Sequence, residues 1–188
     1  MTSLPPVYSF PPMYTRQPNS LIRRQQINSW IDIITQFCEG RKCWSMNAEG
    51  KPIYEDHSNV TNEDKKLFTN VELQRTVPQV FVDEIWTQMC QDGKALRYED
   101  GKNSSMYYIL WNSLDLWASL ILQWFETSVK LNQVVTLYEL SQGDETINWE
   151  FHGMPELLLV KCLKPLCNRN RATILKDDNG KPVGVKVI

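Results

Sequence analysis

One order of hydropathy patterns is written twice along this chain, and few architectures absorb such a duplication within 188 residues. After Ser20 the apolar positions Ile27, Trp30, Ile31, Ile34, Phe37 and Cys38 recur at helical spacing, with Arg23, Arg24, Gln25, Asp32 and Gln36 on the remaining face. Gly40 is the expected stop. Residues 42–46 read as a short strand, 47–62 as a polar loop and 63–68 as a short helix. Thr76 and Gln79 have the spacing of a capping box, with Pro78 tolerated in the first turn. The helix they open carries Val80, Phe81, Ile85, Trp86 and Met89 and ends at Asp92-Gly93. A hairpin candidate follows, from 95–99 and 106–111 across the turn-rich residues 100–105.

The second copy begins at Ser113. Leu114, Trp117, Ala118, Ile121, Trp124 and Phe125 form one helical stripe, and Leu116, Leu120 and Leu122 extend it to other faces, so this helix is expected to be buried on two sides. Thr136 and Glu139 again have capping-box spacing for a short helix through Leu140. Pro155 opens a third helix with Leu159, Cys162, Leu163 and Leu166 inward. Residues 172–176, the turn Asp177-Asp178-Asn179-Gly180, and alternating Val183, Val185 and Val187 give a β-hairpin. Helix, short helix, helix, hairpin, twice over, is the element order of a winged-helix domain. The expected fold class is α+β, mainly helical, with tandem winged helices at 20–112 and 113–188. Each copy is a size that folds alone but marginally, so a shared Trp-rich surface around Trp111 and Trp117 is expected.

Residues 1–19 stand apart. Pro5-Pro6-Val7-Tyr8 and Pro11-Pro12-Met13-Tyr14 repeat one phrase, with Phe10 between them. In polyproline II, at three residues per turn and about 3.1 Å per residue, Pro5, Tyr8, Pro11 and Tyr14 would share one face of an arm roughly 28 Å long. A straight arm loses little entropy when a partner's groove closes on it, so 1–19 is expected to be an extended docking arm. A leader packed on its own domain is the alternative.

Charge and chemistry exclude more than they assign. Twenty Lys and Arg face 22 acids, and the halves on either side of Trp111 are each near neutral. Nucleic-acid readers carry a basic face, and the helix opened by Thr76 and Gln79 offers Asp83 and Glu84 instead. Lys161, Lys164, Arg169 and Arg171 form a basic cluster, read as a solvated helix end or as a contact for an acidic partner helix. Cys38, Cys43, Cys90, Cys162 and Cys167 read as reduced core thiols, and with only His57 and His152 available no metal site or cofactor is expected. Neither a phosphate-binding loop nor a nucleophile elbow occurs, and Asp144-Glu145 reads as an exposed pair, so no enzyme is expected. The N-terminus has no secretory pattern, and the longest apolar run, 114–125, is too short to span a bilayer. A cytosolic location follows, in which sequons at Asn59 and Asn103 would stay unmodified.

The twin motif at 4–14, NSLDLWASLILQWF at 112–125, LNQVVTLYELSQGDET at 131–146 and the stretch 149–177 resemble the small subunit of the ESCRT-II complex, in a fungal form. The resemblance covers nearly the whole chain and is weakest over 47–70. It implies a non-enzymatic scaffold of two winged helices, present in two copies beside one copy each of two larger subunits and recruited peripherally to endosomes for cargo sorting into multivesicular bodies. It implies that Pro5, Pro6, Val7, Tyr8, Phe10, Pro11, Pro12, Met13 and Tyr14 dock into apolar pockets on the larger subunits. It implies, too, that the second winged helix, within 113–188, engages an ESCRT-III subunit through residues the motif does not specify. Two other readings stay open at this point: a winged-helix transcription protein, and an adaptor offering its Pro-Pro-x-Tyr strings to WW domains.

Overall fold

Asn19 opens the first helix, α1 (Ser20–Arg41), by accepting the amides of Leu21 and Ile22 on its side chain. The helix runs one residue past Gly40 and closes at Lys42, which takes the left-handed conformation (φ 47°). Its buried stripe is Gln26, Ile27, Trp30, Ile31, Ile33, Ile34, Phe37 and Cys38. The computed structural model describes residues 3–54, 66–99 and 105–188. The expected loop around His57 and Asn59, the start of the helix expected over 63–68, and Asn103 lie outside the described residues, and the described part of that expected helix, 66–68, is a turn instead, with Leu67 and Phe68 buried. Cα packing divides the chain into two units, Met1–Trp111 and Asn112–Ile188.

In the first unit β1 (Ser45–Asn47), β2 (Pro52–Ile53), β5 (Ala95–Arg97) and β6 (Met106–Ile109) form an antiparallel sheet in the order β2-β1-β6-β5, and β3 (Thr69–Asn70) pairs with β4 (Arg75–Thr76). The β1–β2 turn depends on Gly50, whose φ of +83° and close approach to the Phe68 ring leave no room for a Cβ. Strands β2, β3 and β4 escape sequence reading because two residues are too few to show alternation. Helix α2 (Gln79–Gln91) buries Phe81, Val82, Ile85, Trp86 and Met89. Its expected capping box does not form. Thr76 belongs to β4, where its hydroxyl donates to Thr69 Oγ1 at 3.3 Å, and the helix is entered through Pro78 without a side-chain cap. Trp86 stacks on Tyr107 at 4.4 Å and 3°, and Trp111 stacks on Trp44 within the same unit.

The second unit follows its pattern more closely. Ser113 accepts the Leu116 amide and caps α3 (Leu114–Thr127). The expectation of burial on two sides holds only in part: Trp117, Ala118, Ile121, Trp124 and Phe125 form one buried face, Leu114, Leu120 and Leu122 are half-buried, and Leu116 is 47% exposed. Strand β7 (Val134–Thr136) runs into α4 (Leu137–Gln142) through a complete capping box, Glu139 N–H to Thr136 Oγ1 at 3.0 Å and Thr136 N–H to Glu139 Oε2 at 2.7 Å. A 3-10 turn, Asp144–Thr146, and the buried Phe151 and Met154 lead to α5 (Glu156–Asn168), then β8 (Ala172–Lys176) and β9 (Pro182–Val187). The sheet order is β7-β9-β8. Val185 and Val187 are buried as expected, but Val183, at the strand's outer start, is exposed.

Candidate docking site at the N-terminal leader

The leader is not an extended polyproline II arm. Pro6–Ser9 and Pro11–Tyr14 each form a 3-10 turn, closed by Tyr8 N–H to Pro5 O at 2.9 Å and by Met13 N–H to Phe10 O at 3.0 Å. Proline fixes only φ, near −65°, a value common to polyproline II and the 3-10 helix, and ψ decides between them. Here the tyrosines decide ψ, because folding the chain into turns lets both rings reach the first unit's core.

Those rings sit in an aromatic nest. Tyr14 is 2% exposed, packs edge-on against Trp30 at 5.3 Å and stands 6.1 Å from Tyr8; Tyr8 meets Trp30 at 6.1 Å, and Trp30 meets Phe68 at 5.2 Å. Each polar tip finds a main-chain partner, as buried tyrosine and tryptophan require. The Tyr8 hydroxyl donates to Leu67 O at 2.8 Å, the Tyr14 hydroxyl donates to Tyr8 O at 2.7 Å, and Trp30 Nε1 donates to Met13 O at 2.9 Å. Desolvation by burial raises both phenol pKa values, and the facing Tyr14 adds to the effect on Tyr8.

Two buried amides complete the cradle. Gln26 Nε2 donates to the carbonyls of Pro12, Met13 and Thr15 at 3.1, 3.1 and 2.7 Å, while its Oε1 accepts from Gln17 N at 3.2 Å. Asn70 Nδ2 donates to Tyr8 O at 3.3 Å and to Tyr14 Oη at 3.2 Å. Sequence reasoning passed over both. Gln26 carried a signal, since it lies one turn before Trp30 on an otherwise apolar stripe; Asn70 carried none. Outside the nest Glu84 on α2 accepts from Arg16 Nε at 2.8 Å and faces Arg23 Nε at 3.6 Å, and the Arg16 guanidinium lowers the pKa of the Glu84 carboxyl.

The nine expected docking residues therefore divide. Met13 and Tyr14 are buried, Pro5, Val7 and Tyr8 are half-buried, and Pro6, Phe10, Pro11 and Pro12 are exposed. A WW groove closes on proline and aromatic side chains together, and a Tyr14 turned inward is not presented to it.

In the second unit the basic cluster is partly spoken for. Arg169 pairs with Asp115 at 3.2 Å and Arg171 Nε donates to Ile188 O at 2.7 Å, and on α5 Lys161 is half-buried while Lys164 and Leu157 are exposed. Burial pushes the Cys162 thiol up to about 12 and holds Cys38 well above the ordinary thiol range, as inert core cysteines require. Among the described residues no group of three or more His, Cys, Asp or Glu is placed to hold a metal ion, and no helix is long and apolar enough to cross a membrane.

Residues 7–155 match the model of a family described as ESCRT-II complex subunit. The chain is 60% identical over 202 aligned residues to vacuolar protein-sorting-associated protein 25 of Saccharomyces cerevisiae, covering all of both chains. It superposes with a TM-score of 0.87, again at 60% identity and full coverage of both, on the crystal structure of subunit VPS25 of the endosomal trafficking complex ESCRT-II. A chain in the crystal structure of the endosomal complex ESCRT-II (VPS22/VPS25/VPS36) gives 0.84 at 60% identity, also with full coverage of both.

Proposed function

Since this chain belongs to the family of ESCRT-II complex subunits, we propose that it acts as a tandem winged-helix adaptor, held in its complex by the N-terminal leader and holding an ESCRT-III subunit through the second unit. As a member of that family it is a non-enzymatic subunit of endosomal trafficking machinery. The supporting observation is the leader: an uncharged stretch from Ser3 to Thr15, fixed on the first unit, that still turns Phe10 and three proline rings to solvent. Burial of aromatic and proline surface is what holds such modules together, because charge within the leader can contribute nothing.

The partners follow from the relatives. The relative named VPS25 occurs in a complex with VPS22 and VPS36, and the counterparts of those two larger subunits are the partners proposed here, with two copies of this chain to one of each. The winged-helix label rests on helix, short segment, helix and hairpin recurring in both units, and near-neutral halves favour protein over nucleic acid as the ligand. Recruitment of an ESCRT-III subunit is assigned to residues within 113–188, leaving the leader for assembly, and the complex is proposed to act at the endosomal surface, where it is held peripherally, during sorting into multivesicular bodies.

Co-expression with both larger subunits, followed by mass measurement of the intact assembly, tests the reading. Two copies of this chain per assembly are expected, and its absence from the purified complex would refute the docking role. Removal of residues 113–188 is expected to leave docking intact and abolish capture of the ESCRT-III subunit. Capture by the remaining 1–112 fragment would refute the division of labour.

A further inference from the structure

We propose that the side chain entering the larger subunits' apolar pockets is Phe10, framed by the rings of Pro6, Pro11 and Pro12, and that Tyr8 and Tyr14 are positioning residues acting from inside. This inference rests on the docking role assigned to the leader above and decides which of its residues make the contact.

The backbone of Phe10 is engaged on both sides. Its N–H donates to Val7 O at 3.0 Å and closes the first turn, and its carbonyl accepts the Met13 N–H at 3.0 Å and opens the second. The residue is thus locked at the junction of two turns while its ring is 55% exposed. A large aromatic on fixed backbone combines wide apolar area with little chain entropy left to lose, the combination found at interface hot spots. The proline rings beside it are stiff for the same reason.

The tyrosines are poor candidates for direct contact. Tyr14 is almost wholly buried, and its hydroxyl is committed to Tyr8 O and Asn70. Bringing it outward would undo the 5.3 Å Trp30 contact and leave Asn70 short of a partner. The occupant is an apolar pocket because the leader offers no Asp, Glu, Lys or Arg between Ser3 and Thr15, and the nearest charged side chain, Arg16, is already paired with Glu84.

The test uses the full chain and the two larger subunits, with affinity and thermal unfolding read on the same variants. Phe10→Ala is expected to weaken association at least tenfold with an unchanged Tm. Tyr14→Ala is expected to lower Tm and affinity together, and Tyr14→Phe, which restores the ring, to recover most of the binding. Phe10→Ala binding within twofold of wild type, or Tyr14→Phe losing affinity at unchanged Tm, would overturn the assignment, the latter by showing that the hydroxyl touches the partner. Self-association of the lone chain abolished by Phe10→Ala would also overturn it, with a second copy as the occupant. Failure of the wild-type chain to bind either larger subunit would instead remove the docking role itself.

Discussion

The two units use nearly the same element order but close their cores differently. In the first, a leader from outside the repeated pattern covers α1, and its tyrosines, Trp30, Gln26 and Asn70 join through hydrogen bonds that end on main-chain carbonyls. In the second, the chain between α4 and α5 closes the core from within the repeat: Phe151 and Met154 are buried, Trp124 Nε1 donates to Glu145 O at 3.2 Å, and Ser141 Oγ donates to Met154 O at 2.7 Å. One core depends on a covering segment joined to the unit at one end, the other on a loop tied at both ends. The first unit should therefore show partial opening that the second does not.

The strongest challenge to this contrast is Trp30→Ala. Removing a fully buried indole that also anchors Met13 O should cost about 3–5 kcal/mol. Denaturant unfolding measures the cost, and limited trypsinolysis at Arg16 and Arg23 reads leader release. Trp124→Ala should cost a similar amount without speeding cleavage at those arginines, and equal acceleration would erase the difference between the units. Next in size, Tyr14→Phe keeps the ring and leaves Tyr8 O and Asn70 each with one partner fewer, for about 1–2 kcal/mol in the same unfolding measurement.

Smaller effects sharpen the comparison at the helix starts. Thr136→Ala breaks a complete capping box and should cost about 1 kcal/mol, whereas Thr76→Ala at the matching sequence pattern should stay within about 0.5 kcal/mol because no cap exists there. Paired denaturation curves distinguish them. The least effect is expected from Glu84. Its carboxyl pKa is lowered in the folded state, so the stability it contributes is present above the ordinary glutamate range and is lost as pH falls through the depressed folded value. The pair is substantially exposed, so solvent screening keeps the contribution small. Glu84→Gln should flatten the acid limb of the first unit's stability profile slightly, and an unchanged profile would deny the Arg16–Glu84 pair any role.

How much of this was legible in the sequence depended on whether local spacing and long-range packing agreed. The stripes of α1, α2 and α5 carry their own periodicity, and the box at Thr136 and Glu139 closes within four residues, so both were readable. The same spacing at Thr76 and Gln79 failed because Thr76 is drawn into β4 by Thr69, a partner seven residues away. The leader was misread for a related reason. Its prolines specify φ alone, and the choice of turn over extended chain is made by Trp30 and Phe68, residues no local rule connects to Tyr8 and Tyr14. Strand β7 is three residues long and is defined only by its pairing to β9, fifty residues on, which leaves no local trace. At the candidate site, the apolar outward residues could be named from the sequence, but the division between inward and outward required the fold.

Apart from the Asn70 contact to the Tyr14 hydroxyl, the amides and indole that grip the leader address carbonyl oxygens, which every amino acid possesses, and leave the side chains of the outward positions Pro6, Ser9, Phe10, Pro11 and Pro12 uncommitted to the cradle. A surface mounted this way can be rewritten without retooling its mount. Lineages could retune what the module grasps by exchanging a few outward letters of a short string, and an engineer could install a foreign epitope there while the hydrophobic interior behind it stays the same.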